Sequence, residues 1–169
     1  MDAKTGLLHL HRQTMEILAQ ISAEDYSTPL ELFNGATLGQ HFRHILDFFQ
    51  CLADAATSGV VDYARRQRDP VPENDPGAAA TLFQQVLDQI GKMTEGSTLY
   101  MRADFMHATE AGRPLYASSA GREMTFVHDH AIHHMAMIQM GIREYFPYIV
   151  RSAHFGVAPS TVKFRMEQE

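Results

Sequence analysis

The stretch Phe126-Val127-His128-Asp129-His130-Ala131-Ile132-His133-His134-Met135-Ala136-Met137 carries a helical period and four of the ten histidines in the chain. At about 100° per residue, Glu123, Val127, His130, His134, Met137 and Gly141 fall within an arc of roughly 100°. That stripe predicts a helix with this face toward the core. The helix begins at Ser118 or Ser119, good N-cap residues, with Glu123 near its positive end, and it ends near Phe146-Pro147.

His130 and His134 lie one turn apart. This i, i+4 spacing lets two imidazoles converge on one ion, as in the helical zinc motif His-Glu-x-x-His. The intervening residues here are Ala-Ile-His, so the general-base glutamate of that motif is missing and metalloprotease chemistry is not indicated. A lone inward histidine is more often a hydrogen-bonded core residue. Two on one apolar stripe are harder to satisfy without a metal or a carboxylate, the alternative being a metal-free bundle whose histidines satisfy each other. His128 and Asp129 are expected on the solvent side, and His133 beside the stripe.

Three more helices are predicted outward from this one. The first spans about Lys4 to Ser22, and the third about Gly77 to Met93. The second starts at Thr37, a plausible N-cap, and runs to Ser58-Gly59. Its core stripe is Leu38, Phe42, Ile45, Phe49 and Leu52. Gln40, Arg43, Asp47 and Asp54 form its wet face, with Arg43 and Asp47 as an i, i+4 pair. His41 and His44 sit on one flank of that stripe and offer a third imidazole. Three imidazoles with an open position are the donor set of a catalytic rather than a structural site. They suit zinc or nickel, and also iron. Cys51 lies two turns after His44 on the same flank and is a poorer candidate.

Between the third and last helices, Tyr100 to Phe105 is strand-like and Glu110-Ala111-Gly112-Arg113-Pro114 is a turn signal, so a short β-hairpin or irregular crossover is expected. The fold class expected is all-α: a four-helix bundle in one domain over residues 1–169, with a metal site between facing helices. The tail from Val150 is expected as loop with a short helical turn.

Composition narrows the function classes. The formal charge is −6, and Arg65, Arg66 and Arg68 form the only dense basic stretch, which argues against a nucleic-acid partner. No apolar run reaches the roughly 20 residues needed to span a bilayer, and no secretory signal is visible. A soluble, cytoplasmic protein is expected. One cysteine excludes an internal disulfide and any multi-cysteine zinc site.

Thr37-Leu38-Gly39-Gln40-His41-Phe42-Arg43-His44-Ile45-Leu46-Asp47, Arg122-Glu123-Met124-Thr125-Phe126 and His130-Ala131-Ile132-His133-His134 together resemble the DinB/YfiT-like metalloenzyme family. The tail Phe155-Gly156-Val157-Ala158-Pro159-Ser160-Thr161 resembles one subgroup of it. The resemblance runs over nearly the whole chain. It implies a four-helix bundle whose ligands are one histidine on the second helix and two on the last: His44, His130 and His134. It also implies a homodimer and a small-molecule substrate. Relatives include thiol-dependent S-transferases, a mycothiol-dependent isomerase and proteins described as metal-dependent hydrolases, so a low-molecular-weight thiol is a candidate cofactor.

The expected activity is therefore that of a hydrolase or thiol transferase, in which the ion activates water or a small thiol. The alternative is a non-catalytic metal-binding stress-response module. Phe42, Phe48, Val127 and Met137 are expected to wall the pocket. His41 and His133 are expected beside the ligands. Glu123 is expected to orient a ligand histidine through its other nitrogen, or to serve only as a helix-start charge. Arg66 and Arg68 are expected either as a solvated loop or as a clamp for an anionic substrate.

Overall fold

In the computed structural model of the chain, the described residues are 2–105 and 112–168. Four long helices are α1 (Ala3–Leu18), α3 (Leu38–Ser58), α5 (Pro76–Gly91) and α6 (Ala120–Tyr145). They pack in a ring: α1 and α3 each touch both α5 and α6. Short helices α2 (Ala23–Ser27) and α4 (Val71–Asn74) brace the start of α3, and α7 (Pro159–Met166) gives the tail two turns of helix.

An all-α four-helix bundle is nevertheless the wrong description. Strands β1 (Val60–Val61), β2 (Thr98–Arg102) and β3 (Leu115–Ser119) form a three-stranded mixed sheet in that order. β1 is parallel to β2, with Val60 opposite Tyr100; β2 is antiparallel to β3, with Thr98 opposite Ser119. The parallel pair is possible because α4 and α5 provide the long crossover that such a pair requires. The connections between helices must pair their backbone groups somewhere, and Tyr100 N donating to Gly59 O at 2.9 Å begins that pairing. Of the expected turn, Glu110 and Ala111 lie outside the described residues. Arg113 is buried and grips Asp62 with two guanidinium nitrogens, at 2.8 and 2.5 Å. This fork ties the approach to β3 to the segment that follows β1.

The start of α3 follows from its residues. Gln40 N donates to Thr37 Oγ1 at 3.0 Å and Thr37 N donates to the Gln40 side chain at 3.2 Å, a capping box that satisfies two terminal amides. Gly39 is required by α4: a Cβ there would lie 1.9 Å from Glu73 O. The helix ends at Gly59, whose φ of 72° turns the chain directly into β1. Leu38, Phe42, Ile45, Phe49 and Leu52 are all buried, as their period predicts.

Two helix faces differ from expectation. Asp47 is buried rather than wet, paired with an Arg43 that α4 also holds. Arg43 donates to Asp47 at 2.9 Å and to Glu73 of α4 at 3.0 Å. On α6 the core stripe is Met124, Val127, Ala131, Met135, Ile138 and Ile142. With Glu123 and Gly141 of the predicted stripe also buried, the buried face is rotated by roughly 60° from the predicted one, so His130 and His134 stand at its edge, half-buried, rather than at its centre. Among the described residues, no helix is long and apolar enough to cross a membrane.

Candidate metal centre

The edge position matters because α3 presents its own histidines to the same edge. His44 Nε2 lies 3.0 Å from His130 Nε2, and the ring centroids of His44 and His134 are 4.4 Å apart. One ring nitrogen from each of His44, His130 and His134 falls within 4.8 Å of the others, and this trio could hold a metal ion. The two helices deliver these side chains because α3 and α6 pack directly on each other, with the cluster on the flank of their contact.

The donor chemistry fits a cation. Burial first, then the Arg66 charge, brings the His44 pKa down to about 4, and burial followed by the neighbouring His44 brings His134 down to about 3. Burial lowers His130 and His41 in the same direction. All four are therefore neutral near pH 7, with a lone pair available for a ligand bond. Nitrogens that share an ion tetrahedrally, each about 2.0–2.1 Å from it, lie roughly 3.3 Å apart. The His44–His130 spacing of 3.0 Å is close to that.

His41 is a neighbour of the trio. Its Nδ1 is 3.2 Å from His134 Nδ1, and its ring meets the edge of Phe33 with centroids 4.6 Å apart. A hydrogen bond there holds the His134 ring and leaves its Nε2 free for an ion. His133 is exposed and touches the cluster only through its ring, 5.4 Å from that of His134. Cys51 is buried, and burial pushes its thiol up to about 12, so it stays protonated.

An aromatic wall backs the site. Phe48 stacks on His130, centroids 3.8 Å apart and planes 20° off parallel. Tyr63 stacks on Phe48 at 5.0 Å, and Phe126 lies 5.0 Å from Tyr63 and 6.1 Å from His130. Of the four expected wall residues, Phe48 takes that place. Phe42 instead stacks on Tyr26 at 5.9 Å, and Val127 belongs to the buried core. Phe126 was missed, although it lies one turn before His130 on the same face and that spacing is visible in the sequence.

Glu123 serves the wall rather than a ligand. It is fully buried and accepts from Tyr63 Oη at 2.8 Å, Ser118 Oγ at 2.5 Å and Arg122 Nη1 at 2.8 Å. Burial, then the Glu123 carboxylate, pushes the Tyr63 phenol far up, so it stays a donor. The two arginines part company. Arg66 lies with Cζ 5.3 Å from the Phe48 ring centroid, whereas Arg68 is exposed, in a left-handed backbone conformation with φ 54°.

No family model matches the chain. A stretch of 112 residues, 64% of the chain, is 31% identical to a protein of Rhizopus delemar named FK506-binding protein 5. The match spans 28% of that protein's length, so the likeness is to a part of it.

Proposed function

We propose that this chain is a metal-dependent enzyme of the DinB/YfiT-like kind, in which His44, His130 and His134 hold one divalent ion, zinc or nickel before iron. The observation that supports it is the convergence of three neutral imidazole nitrogens within 4.8 Å, with no Cys, Asp or Glu joining the group among the described residues. A donor set of three leaves a position for an exchangeable ligand, as catalytic rather than structural sites do. The ion's contribution when bound is to lower the pKa of a water or small thiol, so that a nucleophile exists near neutral pH. The chain's own residues supply the rest. His41 holds the His134 ring, Phe48 fixes the plane of His130, and the Tyr63–Phe126 side of the wall keeps the approach apolar. Hydrolysis and thiol transfer are both consistent with this arrangement. We further propose a homodimer, supported by exposed apolar side chains such as Val150, Phe164 and Met166.

The test is elemental analysis of protein purified without a histidine tag, followed by hydrolase and thiol-transfer screens with the metal identified. One ion per chain, lost in His130→Ala and His134→Ala proteins, is the expected result. Stoichiometric metal retained in both variants, or a fourth protein side chain closing the coordination sphere, overturns the enzyme reading. Light scattering checks assembly: the mass of one chain at tens of micromolar ends the dimer.

A further inference from the structure

The chain leaves β1 through Asp62 and Tyr63 and returns to the site at Arg66, whose guanidinium approaches the Phe48 ring at 5.3 Å. Phe48 is the ring on which His130 stacks. The Nε–H of Arg66 is buried and has no hydrogen-bond partner among the described residues. Three carboxylates on the elements that build the site are engaged elsewhere. Asp62 is held by Arg113, Asp47 by Arg43, and Glu123 by Tyr63, Ser118 and Arg122. An unpaired buried donor on a permanently charged group calls for an acceptor that the protein itself does not supply.

Arg66 and the ligand candidate His130 share the Phe48 ring as a contact. A divalent ion among neutral imidazoles would keep its full charge. With Arg66 alongside, two uncompensated cations would repel unless an anion lay between them. Arg68, two residues on, is exposed and shares none of these contacts.

We infer that Arg66 determines substrate class at this site: it grips the carboxylate of a small substrate whose other end reaches the metal. This rests on the metal-centre reading above. A carboxylate suits the site better than a phosphate, because one guanidinium matches one planar, singly charged group.

The test uses tag-free protein loaded with one equivalent of cobalt(II), whose visible spectrum reports entry of a ligand. Two probes are titrated, succinate and its monoamide succinamate, which has lost one of the two charges. Wild-type protein is expected to bind succinate at least about tenfold tighter, one good charge-assisted contact. Arg66→Met is expected to bind both probes alike, at the succinamate level, with cobalt content unchanged. Arg66→Lys is expected to recover part of the preference. Equal affinities in cobalt-loaded wild type, or a preference that survives in Arg66→Met, overturns the assignment and leaves the metal centre standing. Failure of the wild type to take up cobalt is read separately, by elemental analysis, and overturns the metal centre itself. Should Arg66→Met not fold, the pair Arg66→Lys and Arg66→Gln gives the same comparison of charge kept against charge lost.

Discussion

α6 carries histidines to two different clefts, one on each edge of its buried stripe. On one edge His130 and His134 meet His44 and His41 of α3. On the other, His128 lines a cleft of about 440 Å³ with His9 of α1 and His154 of the segment before α7. Both clefts hold three or more histidines beside apolar side chains, yet they differ in kind. In the first, nitrogens of different helices face one another at 3.0 and 3.2 Å. In the second, the hydrogen bonds of His9 and His128 stay on their own helices: His9 with Gln13 at 3.3 Å, and His128 with Asp129 at 3.2 Å. A concentration of histidine is therefore not a site. A site needs an i, i+4 pair on one helix and a third ring delivered from a facing one.

The comparison breaks most easily at the ligands. Replacing His44, His130 or His134 by Ala is expected to lower zinc affinity by at least about 100-fold, more than the loss of a group that merely supports a ligand. His128→Ala and His9→Ala are expected to leave it unchanged. Competition titration against a chelator reads both sets, and an equal loss in the second set would erase the distinction.

The long helices were legible because each repeats apolar residues at 3.6 over four or more turns, with Thr37 and Ser119 marking two starts. β1 was not, because two residues show no period and its partner lies across the whole of α5. The core face of α6 was misjudged for a related reason. Counting His130 and His134 as members of the stripe pulls its centre toward them, whereas the buried set centres near Ala131 and Ile138. Asp47 was read as wet because nothing in a loop rich in prolines announces that Glu73 will return to Arg43. The convergence of His44, His130 and His134 does not depend on that face: it follows from spacing along α6 and a partner on α3, and neither changes with the rotation.

The second difference between the clefts is support. Glu123 underpins only the first, and removing it leaves the half-buried Tyr63 hydroxyl without its acceptor. Glu123→Ala is expected to cost about 3 kcal/mol in urea unfolding, against less than about 0.5 kcal/mol for Asp129→Ala beside the second cleft. A Glu123 cost no larger than that of Asp129 would remove the wall from the account.

His41→Phe should produce a smaller effect, keeping the ring against Phe33 while losing the contact with His134. Zinc affinity is expected to fall by roughly tenfold, measured by the same competition. No change would mean that His134 is held by packing alone.

The smallest effect concerns protons. In the metal-free protein, His44 and His134 titrate near 4 and 3 rather than at 6.5. The unfolded chain therefore binds more protons than the folded one below pH 6.5. The contribution to stability from these two groups is complete above about 6.5 and declines as pH falls through 4 toward 3. At pH 6 both are already neutral, so metal uptake is expected to release less than one proton from the pair. Calorimetry in buffers of different ionisation enthalpy counts them, and a release of two would contradict the depressed values.

His44 and His130 are 86 positions apart, with the entire crossover between them. A ribosome adding about 5–20 residues per second makes the second partner roughly 4–17 s after the first. Throughout that interval the nascent chain offers His44 without the two α6 imidazoles that complete the trio. On the metal reading proposed above, loading would follow synthesis of α6.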